Sequence, residues 1–161
     1  MMDFHSKSVG LVLSGGGSKG LAHAGALRFL EEQEIKPLQI AGSSAGAIVA
    51  AMYAFGKSPD EILSFFKSIY FFHWKHFTFK KAGLIDSDSF KHYFTNVFKD
   101  ATIGDLPIQV HITGTDMISG KLKIFDADTK IVDAVLASSA VPGVLSPYEI
   151  DGKLYSDGLS T

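Results

Sequence analysis

The sequence predicts a three-layer α/β/α sandwich with a mainly parallel central sheet, formed by a single domain over residues 1–161. Two observations predict this fold. Short apolar runs that suit buried strands alternate with longer segments of helical periodicity, and the first two strands are each followed by a glycine-rich turn. At 161 residues and 46% hydrophobic composition, the chain can bury one ordinary core, whereas two domains would be crowded.

The individual elements follow from apolar spacing and from turn or capping residues between the apolar segments. In chain order they are a strand at 9–13, a helix at 21–30, a strand at 38–41, a helix at 47–53, a helix capped by 86–89 and running to 97, a strand around 111 and a strand at 153–156. Strands that alternate with helices in this way favour parallel pairing.

The segment 42–46, GSSAG, is the most informative stretch, because it lies between a predicted strand and a predicted helix. A sharp strand-to-helix turn crowds the backbone on both sides of its central residue, so Gly42 and Gly46 suit a nucleophile elbow. Ser44 is therefore the candidate nucleophile. The alternative is that Ser43 or Ser44 caps the following helix, since serine is a favoured N-cap residue.

A second glycine cluster, residues 14–20, follows the first predicted strand and opens the first helix. Such a loop presents backbone N–H groups and the positive end of a helix dipole to an anion. A dinucleotide site would need an acidic residue after the next strand, and a Walker loop would need Lys and Ser or Thr directly after Gly20. An oxyanion hole around Gly16 and Gly17 explains both glycine motifs together. A plain strand-to-helix turn remains the alternative.

A serine nucleophile needs a proton acceptor, and none of the six histidines lies late in the chain, where an α/β-hydrolase carries its base. His23 falls one turn into the first helix, where a packing or capping role is favoured over catalysis. His111 alternates with apolar neighbours in a predicted strand. The acid candidate is Asp157, at the end of the last predicted strand, where Gly158 lets the backbone turn. A simple Asp-Gly turn is the alternative.

Taken together, these motifs resemble those of the bacterial patatin-like phospholipases, from residue 9 to residue 158. The matching segments are the glycine loop 15–20, the elbow 42–46, the T-D-x-x-[ST]-G turn 115–120, the proline segment 137–147 and the acid 157–158. Five matches in the same order make coincidence improbable, although any one glycine motif is weak evidence.

The resemblance implies a Ser-Asp dyad without histidine, with Ser44 as nucleophile and Asp157 as base. It implies an oxyanion loop that includes Gly15, Gly16, Gly17 and Lys19. It further implies hydrolysis of phospholipid, lysophospholipid or another fatty-acyl ester through an acyl-serine intermediate, with no metal and no organic cofactor. The alternatives are a serine acyltransferase and a catalytically silent lipid-binding domain.

The end of the chain departs from the family pattern. The family reads Asp-Gly-Gly or Asp-Gly-Ala, whereas Leu159 follows Gly158 here and the sequence stops at Thr161. Since family members continue with further strand and helix, the resemblance implies a chain truncated at its C-terminal end. This departure bears more on activity than on fold.

Charge and composition exclude several function classes. Lys and Arg number 15 against 17 Asp and Glu, so no basic field favours nucleic acid. The absence of cysteine excludes disulfides, thiolate metal sites and a cysteine nucleophile. No signal core or spanning segment is seen, which favours a cytoplasmic protein that meets membranes at their surface. The sequence does not indicate an oligomeric state.

Aromatic residues and lysines are interleaved over residues 65–81. Such a mixture suits the boundary between lipid head groups and acyl chains, and it also suits a helix face packed on the sheet. We expect the packed helix for the first turns, around Phe65 and Phe66, and the lipid role for residues 73–81.

Overall fold

The computed structural model describes residues 8–76 and 87–158. Six strands and five α-helices are formed within these residues. The strands are β1 (Val9–Leu13), β2 (Pro37–Ser43), β3 (Gln109–Asp116), β4 (Leu122–Ile124), β5 (Tyr148–Ile150) and β6 (Lys153–Asp157). The helices are α1 (Gly20–Glu32), α2 (Ala45–Ala54), α3 (Pro59–His76), α4 (Ser87–Phe98) and α5 (Ile131–Ser138).

The sheet confirms the predicted α/β fold, and its central part is parallel. β1 pairs with β2 and β2 with β3 in parallel, through the helical crossovers that the alternating pattern predicted. β4 and β6 pair antiparallel with β3, and β5 pairs antiparallel with β6, so the sheet as a whole is mixed. The β5–β6 hairpin turns at Asp151 and Gly152, both at positive φ, as a two-residue Asp-Gly turn requires.

Helix α2 lies at the centre of the core, against β1, β2 and β3. Every residue of this helix except Tyr53 is buried, and six of its ten are alanine or glycine, which lets it approach the sheet closely. The covered sheet face carries Ile40 and Ile112, both fully buried. Val12 of β1, whose side chain lies on the other face of the sheet, is 84% exposed.

The first turns of α3 pack into the core, as expected for the start of the aromatic segment. Phe65 and Phe66 are 5% and 3% exposed, and Phe65 stacks on Tyr93 of α4 with ring centroids 4.6 Å apart. The lipid role expected for residues 73–81 falls outside the residues whose side chains are described. Within the described parts of the chain, no helix has the length and apolar character needed to span a membrane.

Candidate active site

Ser44 occupies a strained turn between β2 and α2. Its φ is 52° and its ψ is −124°, a backbone conformation that L-residues rarely adopt and that costs about 1–3 kcal/mol. The turn brings backbone atoms close together, since a β-carbon on Gly42 would lie 2.5 Å from the carbonyl oxygen of Gly46. The geometry is that of the predicted elbow, and it explains why glycine stands on both sides of Ser44.

The elbow packs directly against the glycine loop. A β-carbon on Gly46 would overlap the carbonyl oxygen of Leu13, the last residue of β1. The same atom would lie 2.8 Å from the carbonyl oxygen of Ser14, where the loop begins. The absence of a side chain at Gly46 therefore brings the N-terminal turn of α2, with Ser44 in front of it, against the start of the loop.

The glycine loop has the backbone geometry that glycine permits. Gly16 and Gly17 lie at φ 137° and 55°, and a short 3₁₀ turn, Gly17–Lys19, leads into α1. The Lys19 N–H donates to the Gly16 carbonyl at 3.1 Å, and the aliphatic stem of Lys19 lies over Gly16. Among residues 8–76 and 87–158, no backbone acceptor is found for the N–H groups of Gly15, Gly16 and Gly17. These donors are therefore available to an anionic oxygen.

Asp157 is a buried residue held by its backbone at the end of β6. It is 3% exposed and lies opposite Gly114 of β3. Its N–H donates to the Ala140 carbonyl at 2.9 Å, and its carbonyl accepts from the Thr115 hydroxyl at 2.9 Å. These contacts fix the position from which the Asp157 side chain projects.

The C-terminal ends of β2 and β6 meet beside β3. Ser43 of β2 pairs with Thr113, and a β-carbon on Gly158 would lie 2.6 Å from the Ser43 Oγ and 2.7 Å from the Thr113 carbonyl oxygen. Ser44 and Asp157 are each one residue from this contact, and consecutive Cα atoms are about 3.8 Å apart. Two segments far apart in sequence are thereby brought to one place in the fold.

Ser138, at the end of α5, is a site residue for which the sequence indicated no role. Its hydroxyl accepts a hydrogen bond from the Ser44 N–H at 2.8 Å, and its side chain is fully buried. The two residues are 94 positions apart, so no local spacing reveals the contact. The one available signal was the position of Ser138 in the proline segment 137–147.

The surroundings of three histidines are described, those of His23, His92 and His111. His23 lies in α1 with its Nε2 2.8 Å from the Ser14 carbonyl oxygen, which requires the proton on Nε2. This contact confirms the satisfied role expected for His23. His111 is half-buried between the buried Val110 and Ile112 of β3, as the alternation predicted. His92 contacts Asn96 within α4.

The predicted turn over residues 115–120 connects β3 to β4. The Asp116 carboxylate accepts hydrogen bonds from the N–H groups of Ile118 and Ser119, at 3.0 and 2.9 Å. The Ser119 bond is the main cause that lowers the pKa of Asp116 below its ordinary value. Gly120 closes the turn at φ 65°. Asp116 thus has a structural role at the tip of this hairpin.

Two surface clefts lie away from the elbow. One of about 440 Å³ is formed by α2, α3 and α4 and is lined in part by Lys57, Glu61 and Tyr93. The other, of about 410 Å³, lies near the start of β2 and is lined in part by Pro37 and Tyr53. Neither cleft is lined by Ser44 or Asp157.

Comparison with known families shows to which family the chain belongs. The model of the patatin-like phospholipase family matches residues 11–159. The chain belongs to this family. It is 33% identical over 156 residues to an uncharacterized NTE family protein of Mycobacterium bovis, in an alignment that covers 95% of this chain and 43% of that relative. It is 28% identical over 171 residues to the lysophospholipase NTE1 of Coccidioides immitis, in an alignment that covers 97% of this chain and 11% of the fungal protein.

This member of the patatin-like family also resembles solved structures. VipD from Legionella pneumophila superposes with a TM-score of 0.68 at 17% identity, over 94% of this chain and 46% of VipD. That likeness shows the fold. The chain thus spans less than half the length of these relatives. Other relatives come from a nematode and a virus, so the resemblance is not confined to bacterial proteins.

Proposed function

We propose that this patatin-like domain is a serine lipid acyl hydrolase in which Ser44 is the nucleophile and Asp157 the base. One observation carries the proposal: Gly158 lies against Ser43, so Ser44, directly after β2, and Asp157, the last residue of β6, are each one residue from the same contact. The family match over residues 11–159 supports the same chemistry. A lysophospholipase among the relatives supports a fatty-acyl ester as substrate.

Formation of an acyl enzyme is the first half of the proposed reaction. The Asp157 carboxylate takes the proton of the Ser44 hydroxyl as Oγ bonds to the ester carbonyl carbon. The carbonyl oxygen becomes an oxyanion, to which N–H groups of the glycine loop donate, in the region of Gly16 and Gly17. Collapse of this intermediate breaks the ester bond, and the departing alcohol receives the proton from Asp157. Ser44 precedes the N-terminus of α2, whose dipole favours negative charge on Oγ.

Hydrolysis of the acyl enzyme is the second half. A water molecule gives a proton to Asp157 while its oxygen attacks the acyl carbon. The same loop amides stabilise the second oxyanion. The bond between Ser44 Oγ and the acyl carbon then breaks, the proton returns from Asp157 to Oγ, and the fatty acid leaves.

The substrate class follows from the same proposal. Phospholipids, lysophospholipids and other fatty-acyl esters present the carbonyl group that this chemistry requires. Long-chain lipids of this kind reside in bilayers or micelles, so we propose that the domain works at a lipid surface as a peripheral protein in the cytoplasm. Lys19 is exposed beside the glycine loop, where its ammonium group suits a lipid phosphate.

Labelling with a fluorophosphonate probe tests the nucleophile. We expect the parent protein and Ser43→Ala to be labelled, and Ser44→Ala to show no labelling and no release of fatty acid. Ser43 is the matched control because it is the adjacent serine and its hydroxyl has no hydrogen-bond partner among the described residues. Labelling of Ser44→Ala at the parent rate would refute the assignment of Ser44.

The base is tested by Asp157→Asn, which nearly preserves the shape of the side chain. We expect loss of turnover by about 10²–10⁴-fold with an unchanged circular dichroism spectrum, because that is the usual contribution of general-base catalysis. Activity within a few-fold of the parent would rule out the dyad. A parallel His23→Gln variant that alone lost activity, or transfer of the acyl group to an added alcohol in preference to water, would favour the acyltransferase. Liposome binding without any fatty-acid release would favour the silent domain.

A further inference from the structure

The C-terminal end of α5 contacts both residues of the proposed dyad through hydrogen bonds. The hydroxyl of Ser138 accepts from the Ser44 N–H at 2.8 Å. Two residues further on, the carbonyl oxygen of Ala140 accepts from the Asp157 N–H at 2.9 Å. Both bonds are made to the backbone of the dyad residues, so they control position without touching the reacting side-chain atoms.

We propose that the Ser138 hydroxyl and the Ala140 carbonyl group, termed here the α5 clamp, set the position of Ser44 relative to Asp157, with Ser138 as the positioning residue for the nucleophile. The proposal rests on the function proposed above and extends it to a group outside the dyad and the glycine loop. The clamp holds the two partners from one short segment. A shift of the clamp would therefore change their separation.

Ser138 stabilises the strained backbone conformation of Ser44. A residue at φ 52° keeps that conformation only when surrounding contacts determine it. Ser44 is 7% exposed and Ser138 is fully buried, so the hydroxyl of Ser138 is the contact that satisfies this N–H in place of solvent. Loss of the hydroxyl would leave a buried donor unpaired and would remove one restraint on the strained turn.

The support beneath the clamp is rigid. Ile131, Ala134, Val135 and Ala137 of α5 are all fully buried in the core that also contains α2. Because interiors are close-packed, a helix anchored in this way cannot shift readily. The packing of α5 therefore fixes the position of Ser138, and the hydrogen bond from the Ser44 N–H to the Ser138 hydroxyl in turn fixes Ser44.

The clamp also limits which groups can form the oxyanion hole. Since the Ser44 N–H is already donated to Ser138, it is not available to the substrate oxygen. The donors must then come from elsewhere, which agrees with the open N–H groups of the glycine loop. Ser138 thus separates the amide that positions the nucleophile from the amides that bind the oxyanion.

The test compares Ser138→Ala with Ser139→Ala. Ser139 is the neighbouring serine, and its buried hydroxyl has no hydrogen-bond partner among the described residues, so it is a matched control. We expect Ser138→Ala to lower kcat and the rate of fluorophosphonate labelling of Ser44 by about 10–100-fold, since small misplacements of reacting groups cost factors of this size. KM should stay within about twofold, because the clamp does not contact substrate. Ser139→Ala should match the parent in every quantity.

Two further measurements separate positioning from simple loss of stability. Phe98→Ala creates a cavity in the core beside Phe55, at the end of α2 opposite Ser44, so at temperatures where it is folded it should be labelled at the parent rate. Amide hydrogen exchange at Ser44 should be faster in Ser138→Ala and unchanged in Phe98→Ala. If Ser138→Ala does not fold, Ser138→Cys keeps a side chain of similar size with a poorer acceptor and is subject to the same expectations.

The outcomes distinguish this inference from the function on which it rests. If Ser44→Ala is labelled like the parent, the proposed function fails and the clamp fails with it. If the parent is labelled at Ser44 and Ser138→Ala reacts equally fast, the dyad stands and the clamp is refuted. Equal slowing in Ser139→Ala or Phe98→Ala would also refute the clamp, because the effect would then not depend on the Ser138 hydroxyl.

Discussion

Gly46 lies directly against the carbonyl oxygen of Leu13, so that any β-carbon at position 46 would overlap this oxygen. The contact joins the first turn of α2 to the end of β1. It is therefore the point at which the two glycine motifs of the sequence meet, and it keeps the candidate nucleophile next to the glycine loop.

Replacement of Gly46 by alanine should destabilise the protein and reduce activity together. The added methyl group must push α2 away from backbone atoms that cannot move aside, and overpacking of this kind costs about 1–3 kcal/mol in the free energy of unfolding. Gly25→Ala is the control, since no atom lies within 4 Å of its β-carbon position in α1. The control should gain up to about 1 kcal/mol from the helix propensity of alanine. Urea unfolding of both variants measures the difference, and similar changes in both would contradict the packing argument.

Gly16→Ala should impair catalysis more than its loss of stability explains. Gly16 lies at φ 137°, and a β-carbon there would lie 3.0 Å from Lys19 Cδ, so the loop must change shape to accept alanine. Gly56→Ala is the matched control, because Gly56 has φ 97° with nothing within 4 Å of its β-carbon position. Both variants should lose about 1–3 kcal/mol through backbone strain.

Only Gly16→Ala should lower kcat, by up to about 10²–10³-fold, because the changed loop moves the N–H donors away from the oxyanion and full removal of one such donor costs that much. Steady-state turnover of a soluble fatty-acyl ester, together with unfolding curves, measures both quantities. Parent-like kcat in Gly16→Ala would argue against an oxyanion role for the loop.

Thr115→Val should weaken the support of Asp157. The buried Thr115 hydroxyl donates to the Asp157 carbonyl, and valine has nearly the same shape without the donor. We expect a loss of about 0.5–1.5 kcal/mol in the free energy of unfolding, as for an average hydrogen bond, and a lower kcat. Ser156→Ala is the control, since the buried Ser156 hydroxyl has no partner among the described residues. That variant should be neutral or slightly more stable, and an equal loss in both would mean that the Thr115 bond has no special effect.

The hydrogen bonds to Glu61 at the start of α3 should make the free energy of unfolding depend on pH in the acid range. The Ser58 N–H is the main group that lowers the pKa of Glu61 from 4.5 to about 2, with further hydrogen bonds from Lys57 and the Ser58 hydroxyl. A carboxyl group whose pKa is lower in the folded state stabilises that state above its unfolded pKa. This stabilisation is therefore complete above about pH 4.5 and is lost as the pH falls towards 2.

Glu61→Gln should remove this share of the pH dependence. The difference in free energy of unfolding between the parent and Glu61→Gln should be largest above about pH 5 and should shrink towards pH 2, because only the parent has an ionisable group at position 61. Urea unfolding at a series of pH values measures it. A difference that did not change with pH would show that the capping contact does not involve the charge of Glu61.

Local chemistry made much of the site predictable. The pattern of Gly42, Ser44 and Gly46 predicts a crowded turn, in which only a hydrogen atom fits at the two glycine positions. In the structure, a β-carbon at either glycine would lie within 3 Å of backbone atoms. His23 was expected to have a satisfied structural role, and its bond to Ser14 is such a role. The β5–β6 hairpin was not predicted, although the Asp151-Gly152 pair is a recognisable hairpin signal.

The sequence by itself determined β1, β2, β3, β6, α1, α2 and α4, together with the sharp turn at Ser44 and the glycine loop, because each depends on the apolar spacing, space and backbone freedom of residues within a few positions. Tertiary structure alone decided that Gly158 lies against Ser43, that β4, β5 and β6 turn the parallel sheet into a mixed one, and that Ser138 binds the Ser44 N–H. Those contacts join residues up to more than a hundred positions apart. They arise from the packing of whole strands and helices around one core, which leaves no periodic signal in the chain.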